Sequence, residues 1–274
     1  MASKFLFTIT PGRSGTVFLT QLLRENLSDA LVFHERTGYG NFGIDTPDAS
    51  HFMRFNSEGN SQHIKDFWHK KFTLIKNTSD LWHIEVSHFL SKAGLIENIH
   101  LLESLAEEVH IVIQNRDLLK MLWSYVNRFD FANFGFTWLF TLDPRYPNVI
   151  VNSEPFMKRG MFGIALWYLI EMECRSEYYS RMLEGRPKIR LHKTQLEELV
   201  LESGAKKFLR DVTGSAFETI TLPGPQNETR HTMFDASAME HCKKLIAGFK
   251  FEASLLVDEY LEKGLNLAEG RKRL

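Results

Sequence analysis

Cysteine is nearly absent: Cys174 and Cys242 are the two thiols among 274 residues, and no Cys-x-x-Cys spacing occurs. That scarcity excludes a disulfide framework and a cysteine-built zinc module, and it predicts a reducing compartment. Long apolar runs are missing too. No stretch reaches the 18 residues of a membrane-spanning helix, and the run within Lys4 to Thr10 is too short for a signal-peptide core. We therefore expect a soluble cytoplasmic protein with no integral membrane segment. Neither sign of charge dominates. With 33 basic and 34 acidic side chains the net charge is −1, so no global field favours nucleic acid or an anionic membrane, and any anion site must be local. A composition of 43% apolar and 24% charged residues excludes a disordered or fibrous chain.

What is present is an alternation of short apolar runs with helical periodicity. Phe5 to Thr10 reads as a buried strand that stops at Pro11-Gly12, after which Phe18, Leu19, Leu22 and Leu23 recur at helical spacing. Further strands are predicted at Ala30 to His34, Leu81 to Val86, Val109 to Gln114 and Lys188 to His192. Helices are predicted at 61–71, 95–106, 117–129, 160–183, 203–213 and 238–263. Strands alternating with helices imply one α/β domain spanning 1–274, a parallel β-sheet flanked by helices. Segments 36–60 and 130–159 fit neither pattern and are expected to act as lids or acceptor-site walls. Residues 129–140, at the start of the second, carry Phe129, Phe131, Phe134, Phe136, Trp138 and Phe140, which suit an apolar wall.

The turn Thr10-Pro11-Gly12-Arg13-Ser14-Gly15-Thr16 joins the first strand to the first helix, where backbone N–H groups and the helix dipole favour an anion. Gly12 and Gly15 let the backbone curl around an oxyanion, Arg13 supplies charge, and Ser14 and Thr16 supply hydroxyl donors. A nucleotide-triphosphatase loop needs G-x-x-x-x-G-K-[ST], and here no lysine follows Gly15. A plain turn with Ser14 as helix cap is the structural alternative. A second constellation lies downstream: Arg116 closes the predicted strand at 109–114, and Ser124 follows eight residues later in the next helix.

Together these motifs resemble the sulfotransferase family, whose 5′-phosphosulfate loop looks like T-x-R-S-G-T-x-x-L. Thr10, Arg13, Ser14, Gly15, Thr16 and Leu19 match it, with Pro11-Gly12 as an insertion-like variation. The resemblance covers about residues 4–130, the nucleotide-binding part. It implies transfer of a sulfuryl group from 3′-phosphoadenosine 5′-phosphosulfate (PAPS) to a hydroxyl or amine of a small-molecule, glycan or lipid-like acceptor. It also implies that Gly12, Arg13, Ser14, Gly15 and Thr16 hold the 5′-phosphosulfate while Arg116 and Ser124 hold the 3′-phosphate. The family usually has proline shortly after this arginine, whereas Asp117-Leu118-Leu119 follows here.

Such a transfer needs positioning, charge stabilisation and a base. Branches of the family place a glutamate after the second strand or a histidine after the third, and this chain offers both, as Glu35 and His88. Glu35 is the first choice, with its strand expected beside the first. His51, His63, His69, His83 and His231 show no metal-ligand spacing, so no metal is expected, and Arg271-Lys272-Arg273 reads as a solvated tail. A P-loop kinase using ATP and Mg²⁺, and a non-catalytic protein binding 3′-phosphoadenosine 5′-phosphate (PAP), are the rival readings.

Overall fold

The strand Lys4–Ile9 (β1) is built from residues that have nowhere to go but inward: Phe5, Phe7 and Ile9 project to one face of the sheet and Leu6 to the other, and all four are buried. Burial of each such side chain is worth about 1.5–3 kcal/mol relative to exposure. The computed structural model describes residues 2–36, 40–77, 80–132, 141–224 and 233–271. It joins β1 to β2 (Ala30–His34), β3 (Trp82–Val86), β4 (Glu108–Asn115) and β5 (Ile189–Gln195) in the order β2-β3-β1-β4-β5, every pairing parallel. The single α/β domain expected from the alternation is the one observed.

Helices α1 (Thr16–Asn26) and Glu202–Thr213 cover the Leu6 face. The opposite face carries α3 (Gln62–Lys76), α5 (Leu118–Asn127) and the long helix Gly160–Leu183. A buried charge cluster ties α3 to β3, with Lys71 Nζ 2.7 Å from Glu85 Oε1 and His83 Nε2 at the same distance from that oxygen. Burial pushes the Glu85 carboxyl up, but Lys71 and His83 overcome it and hold the group down at about 2.

Several expectations are corrected. β2 does not neighbour β1, because β3 intervenes and β2 is the sheet edge. Residues 49–58 form a helix, α2, inside the segment read as irregular; the Asp48 carboxylate caps it by accepting from the N–H groups of Ser50 and His51. The region expected to be one helix at 95–106 begins as a 3₁₀ turn, Ile96–Asn98, and continues as the short α4, Ile99–Glu103. The helix expected at 238–263 is two, Ala236–Gly248 and Ala253–Glu262, because Phe249 leaves helical geometry to stack on Phe156 at 4.2 Å. Within 130–159, Asn148 donates to the carbonyls of Phe55 and Leu267, and the N–H groups of Ile150 and Val151 donate to the buried Glu171 carboxylate. These bonds fix 148–151 as a strap against the long helix.

Candidate active site

β1 sits where the chain reverses its direction of winding, with β3 on one side and β4 on the other, which opens a crevice at the carboxyl ends of the strands. The turn after β1 lines that crevice. Gly12 (φ 85°), Arg13 (φ 59°) and Gly15 (φ 90°) all take left-handed backbone conformations, the kind from which anion-binding concavities are built, and the Gly12 N–H donates to Thr10 Oγ1 at 3.3 Å. Glycine permits this freely, while Arg13 holds it at a cost of about 1–3 kcal/mol, strain of the kind that gathers at functional sites. Gly15 occupies the cap position of α1, no side chain caps that helix and no acidic residue lies in its first turn, so the positive end of α1 faces the loop.

Scaffold groups grip the loop from behind. The hydroxyls of Tyr125 and Tyr168 both donate to the Pro11 carbonyl, at 2.5 and 2.7 Å. Gln114 Nε2 donates to the Ser14 carbonyl at 3.1 Å, and the Thr10 and Ser14 hydroxyls lie 2.5 Å apart. Ser14 is therefore an internal brace and not the cap of α1. A Cβ at Gly12 would meet the Tyr125 hydroxyl at 2.8 Å and the His88 ring at 3.4 Å, and one at Gly15 would collide with Leu196, so both positions require glycine.

The second motif converges on the first. Arg13 Nε donates to Ser124 Oγ at 2.9 Å, and Arg116 Nη1 donates to the Arg13 carbonyl at 3.3 Å. Arg116 Nε is buried with no hydrogen-bond partner among the described residues. Burial lowers the affinity of Arg13 for its proton, and Arg128 and Arg116 lower it further, while Asp130 opposes them. Three guanidinium groups outnumber the carboxylates in reach of Arg13, those of Asp130 and Glu35, which leaves this corner of the crevice electropositive, and an unsatisfied buried N–H is a donor in need of an acceptor.

Both candidate bases reach the same edge. Glu35 follows β2 with its backbone at φ 41°, anchored by its N–H on the Val86 carbonyl. His88 follows β3, and its Nε2 lies 3.4 Å from Glu35 Oε1. Burial raises the Glu35 carboxyl to about 7, against the opposing pull of Lys92 and Arg13. His34 bonds Thr16 Oγ1 through Nε2 at 3.1 Å, which ties the end of β2 to the start of α1. Arg36 does not pair with Glu35; it pairs with Asp45 at 3.0 Å.

Three residues of this site escaped the sequence reading. Tyr125 and Tyr168 brace the loop from helices whose aromatic residues look like ordinary core. Lys92, wholly buried, places Nζ 2.8 Å from His88 Nδ1 and 3.0 Å from the Tyr168 hydroxyl. Of the proposed apolar wall, Phe131 packs into the core on Tyr125 and Tyr168, and Phe129 packs at a tilt against Phe234; Phe134, Phe136, Trp138 and Phe140 lie outside the described residues.

No protein-family model matches the chain, and no curated protein does. Among solved structures, a crystal structure of a sulfotransferase from Alicyclobacillus acidocaldarius is similar to it. The alignment covers 96% of each chain at 14% identity, with a TM-score of 0.41. Among the described residues no helix is long and apolar enough to cross a membrane.

Proposed function

We propose that the chain is a sulfotransferase that takes its sulfuryl group from PAPS. One observation carries the reading: Arg13, Arg116 and Ser124 meet at the open N-terminal turn of α1, on the strand edge that also presents Glu35 and His88. The donor set fits a nucleotide with phosphates at both ends. The left-handed turn and Arg13 suit the 5′-phosphosulfate. Arg116, whose buried Nε has no partner among the described residues, and Ser124 suit the 3′-phosphate.

PAPS supplies an activated sulfuryl group whose sulfur–oxygen bond to phosphate breaks as a bond to the acceptor oxygen or nitrogen forms. The chain's own residues do the rest. Arg13 and the N–H groups of the turn neutralise charge that builds on the departing phosphate oxygen. Glu35, with a proton affinity matched to neutral pH, takes the proton the acceptor gives up. His88 faces the same carboxylate and orients it. The acceptor in this reading is a small-molecule, glycan or lipid-like alcohol or amine, and the reaction is a cytoplasmic one.

Titration calorimetry with PAP, ADP and ATP tests the proposal. PAP is expected to bind at least tenfold tighter than ADP, since charged hydrogen bonds to a 3′-phosphate are worth about 1.5–3 kcal/mol. Tight binding of ATP with Mg²⁺ and indifference to the 3′-phosphate would assign the site to a kinase instead.

A further inference from the structure

Lys92 ends the 3₁₀ turn Leu90–Lys92, one helical step beyond His88, and its ammonium is sealed from solvent. Nothing in the nucleotide-binding motifs explains it. A cation there is expensive: burial depresses its proton affinity strongly, Glu35 opposes that shift, and Arg175 adds to it. The surroundings offset part of that cost. The faces of Phe52, Phe89 and Tyr168 lie 6.0, 5.8 and 5.4 Å from Nζ, an aromatic enclosure that favours the charged form.

With Lys92 protonated, the hydrogen bonds have one consistent direction of donation. Tyr168 commits its own proton to the Pro11 carbonyl, so toward Lys92 its oxygen accepts. An ammonium has only protons to offer, so the ring nitrogen it meets, His88 Nδ1, accepts as well. A neutral imidazole that accepts at Nδ1 carries its proton at Nε2, and that nitrogen is the one facing Glu35 Oε1.

We propose that Lys92 is a positioning residue: by donating to His88 Nδ1 it locks His88 as the Nε2–H tautomer, makes that ring a donor toward Glu35, and leaves Glu35 as the base. The last clause rests on the sulfotransferase reading; the tautomer does not. A histidine with both the Nε2 proton and a donor on Nδ1 has no lone pair free for an acceptor's proton, which decides between the two candidate bases. Through Tyr168 the same ammonium also reaches the Pro11 carbonyl, so one side chain braces the base and the anion loop together.

Long-range proton–nitrogen NMR of the full chain labelled with ¹⁵N-histidine reads the tautomer directly, with the His88 signals assigned by their loss in His88→Gln. The expected wild-type pattern is a protonated Nε2 and an accepting Nδ1. In Lys92→Met, which keeps the volume and the apolar enclosure but loses the donor, the two nitrogens are expected to move toward the averaged shifts of a freely exchanging ring. Lys92→Arg, which keeps a donor, should retain more of the wild-type pattern. A wild-type His88 protonated at Nδ1 overturns the proposal even if no Lys92 variant folds, and so does a folded Lys92→Met with unchanged His88 shifts. PAP titration of the wild type separates the two layers: failure to bind PAP alongside the expected tautomer refutes the nucleotide reading and not the Lys92–His88 lock.

Discussion

Glu35→Gln is expected to make the protein more stable and less active at once. The carboxyl is 22% exposed, and burial moves it from an ordinary 4.5 to about 7. One pKa unit corresponds to about 1.4 kcal/mol, so the displacement is worth on the order of 3 kcal/mol. Its sign follows from where protons sit. Between pH 4.5 and about 7 the folded chain keeps a proton that the unfolded chain releases, so stability falls as pH rises through this window and the full penalty is present above it. Glutamine is neutral throughout and escapes the penalty. Urea unfolding followed by tryptophan fluorescence, run on both proteins at pH 5 and pH 8.5, should show the advantage of Glu35→Gln growing by about 2–3 kcal/mol between the two pH values. Other titrating groups are shared by both proteins and cancel in that difference. Turnover should meanwhile drop by about 10²–10⁴-fold, the usual cost of losing a general base. A stability difference that does not change with pH would refute the claim that a buried ionisable carboxyl faces this crevice.

The other expectations concern the frame around the site. Lys71→Met leaves Glu85 and His83 buried without their cation and should cost about 3–5 kcal/mol in urea unfolding. Wild-type stability should also decline as pH falls from 4.5 toward 2, because the Glu85 carboxylate is favoured by the fold down to about 2. Gly12→Ala forces a Cβ to 2.8 Å from the Tyr125 hydroxyl at φ 85°, so PAP affinity should fall by about tenfold or more, with partial recovery in the Gly12→Ala/Tyr125→Phe pair; an unchanged affinity in Gly12→Ala would contradict the close-packed loop.

Much of this site is legible in sequence because its parts are local. The apolar run of β1 ends at a Pro-Gly break, and the glycines at 12 and 15 announce a turn that only left-handed backbone can make. The eight-residue step from Arg116 to Ser124 runs from a strand end into the next helix, so sequence spacing translates into a spatial pairing around Arg13. What is not legible depends on partners far apart in the chain. Tyr168 lies 157 residues from the carbonyl it holds, and its neighbours in the long helix are equally apolar and buried. The placement of β2 at the sheet edge depends on β3 inserting between it and β1, a choice no local pattern encodes. Lys92 left one faint sign, its four-residue spacing from His88, but a lysine in a short polar turn normally reads as solvated. Helix α2 was hidden because two of the four residues on its buried face, His51 and Asn56, are polar, and its Asp48 cap is the clue that spacing overlooked.

The central claim is that the Arg13, Arg116 and Ser124 corner recognises a 3′-phosphate. Calorimetric titration of PAP and of adenosine 5′-phosphosulfate into the wild type and Arg116→Ala tests it most directly. Arg116→Ala is expected to weaken PAP by about 10–100-fold, the loss of about 1.5–3 kcal/mol of charged hydrogen bonding, while adenosine 5′-phosphosulfate, which has no 3′-phosphate, binds within about twofold of wild type. Equal weakening of both ligands, or no weakening of either, would contradict it.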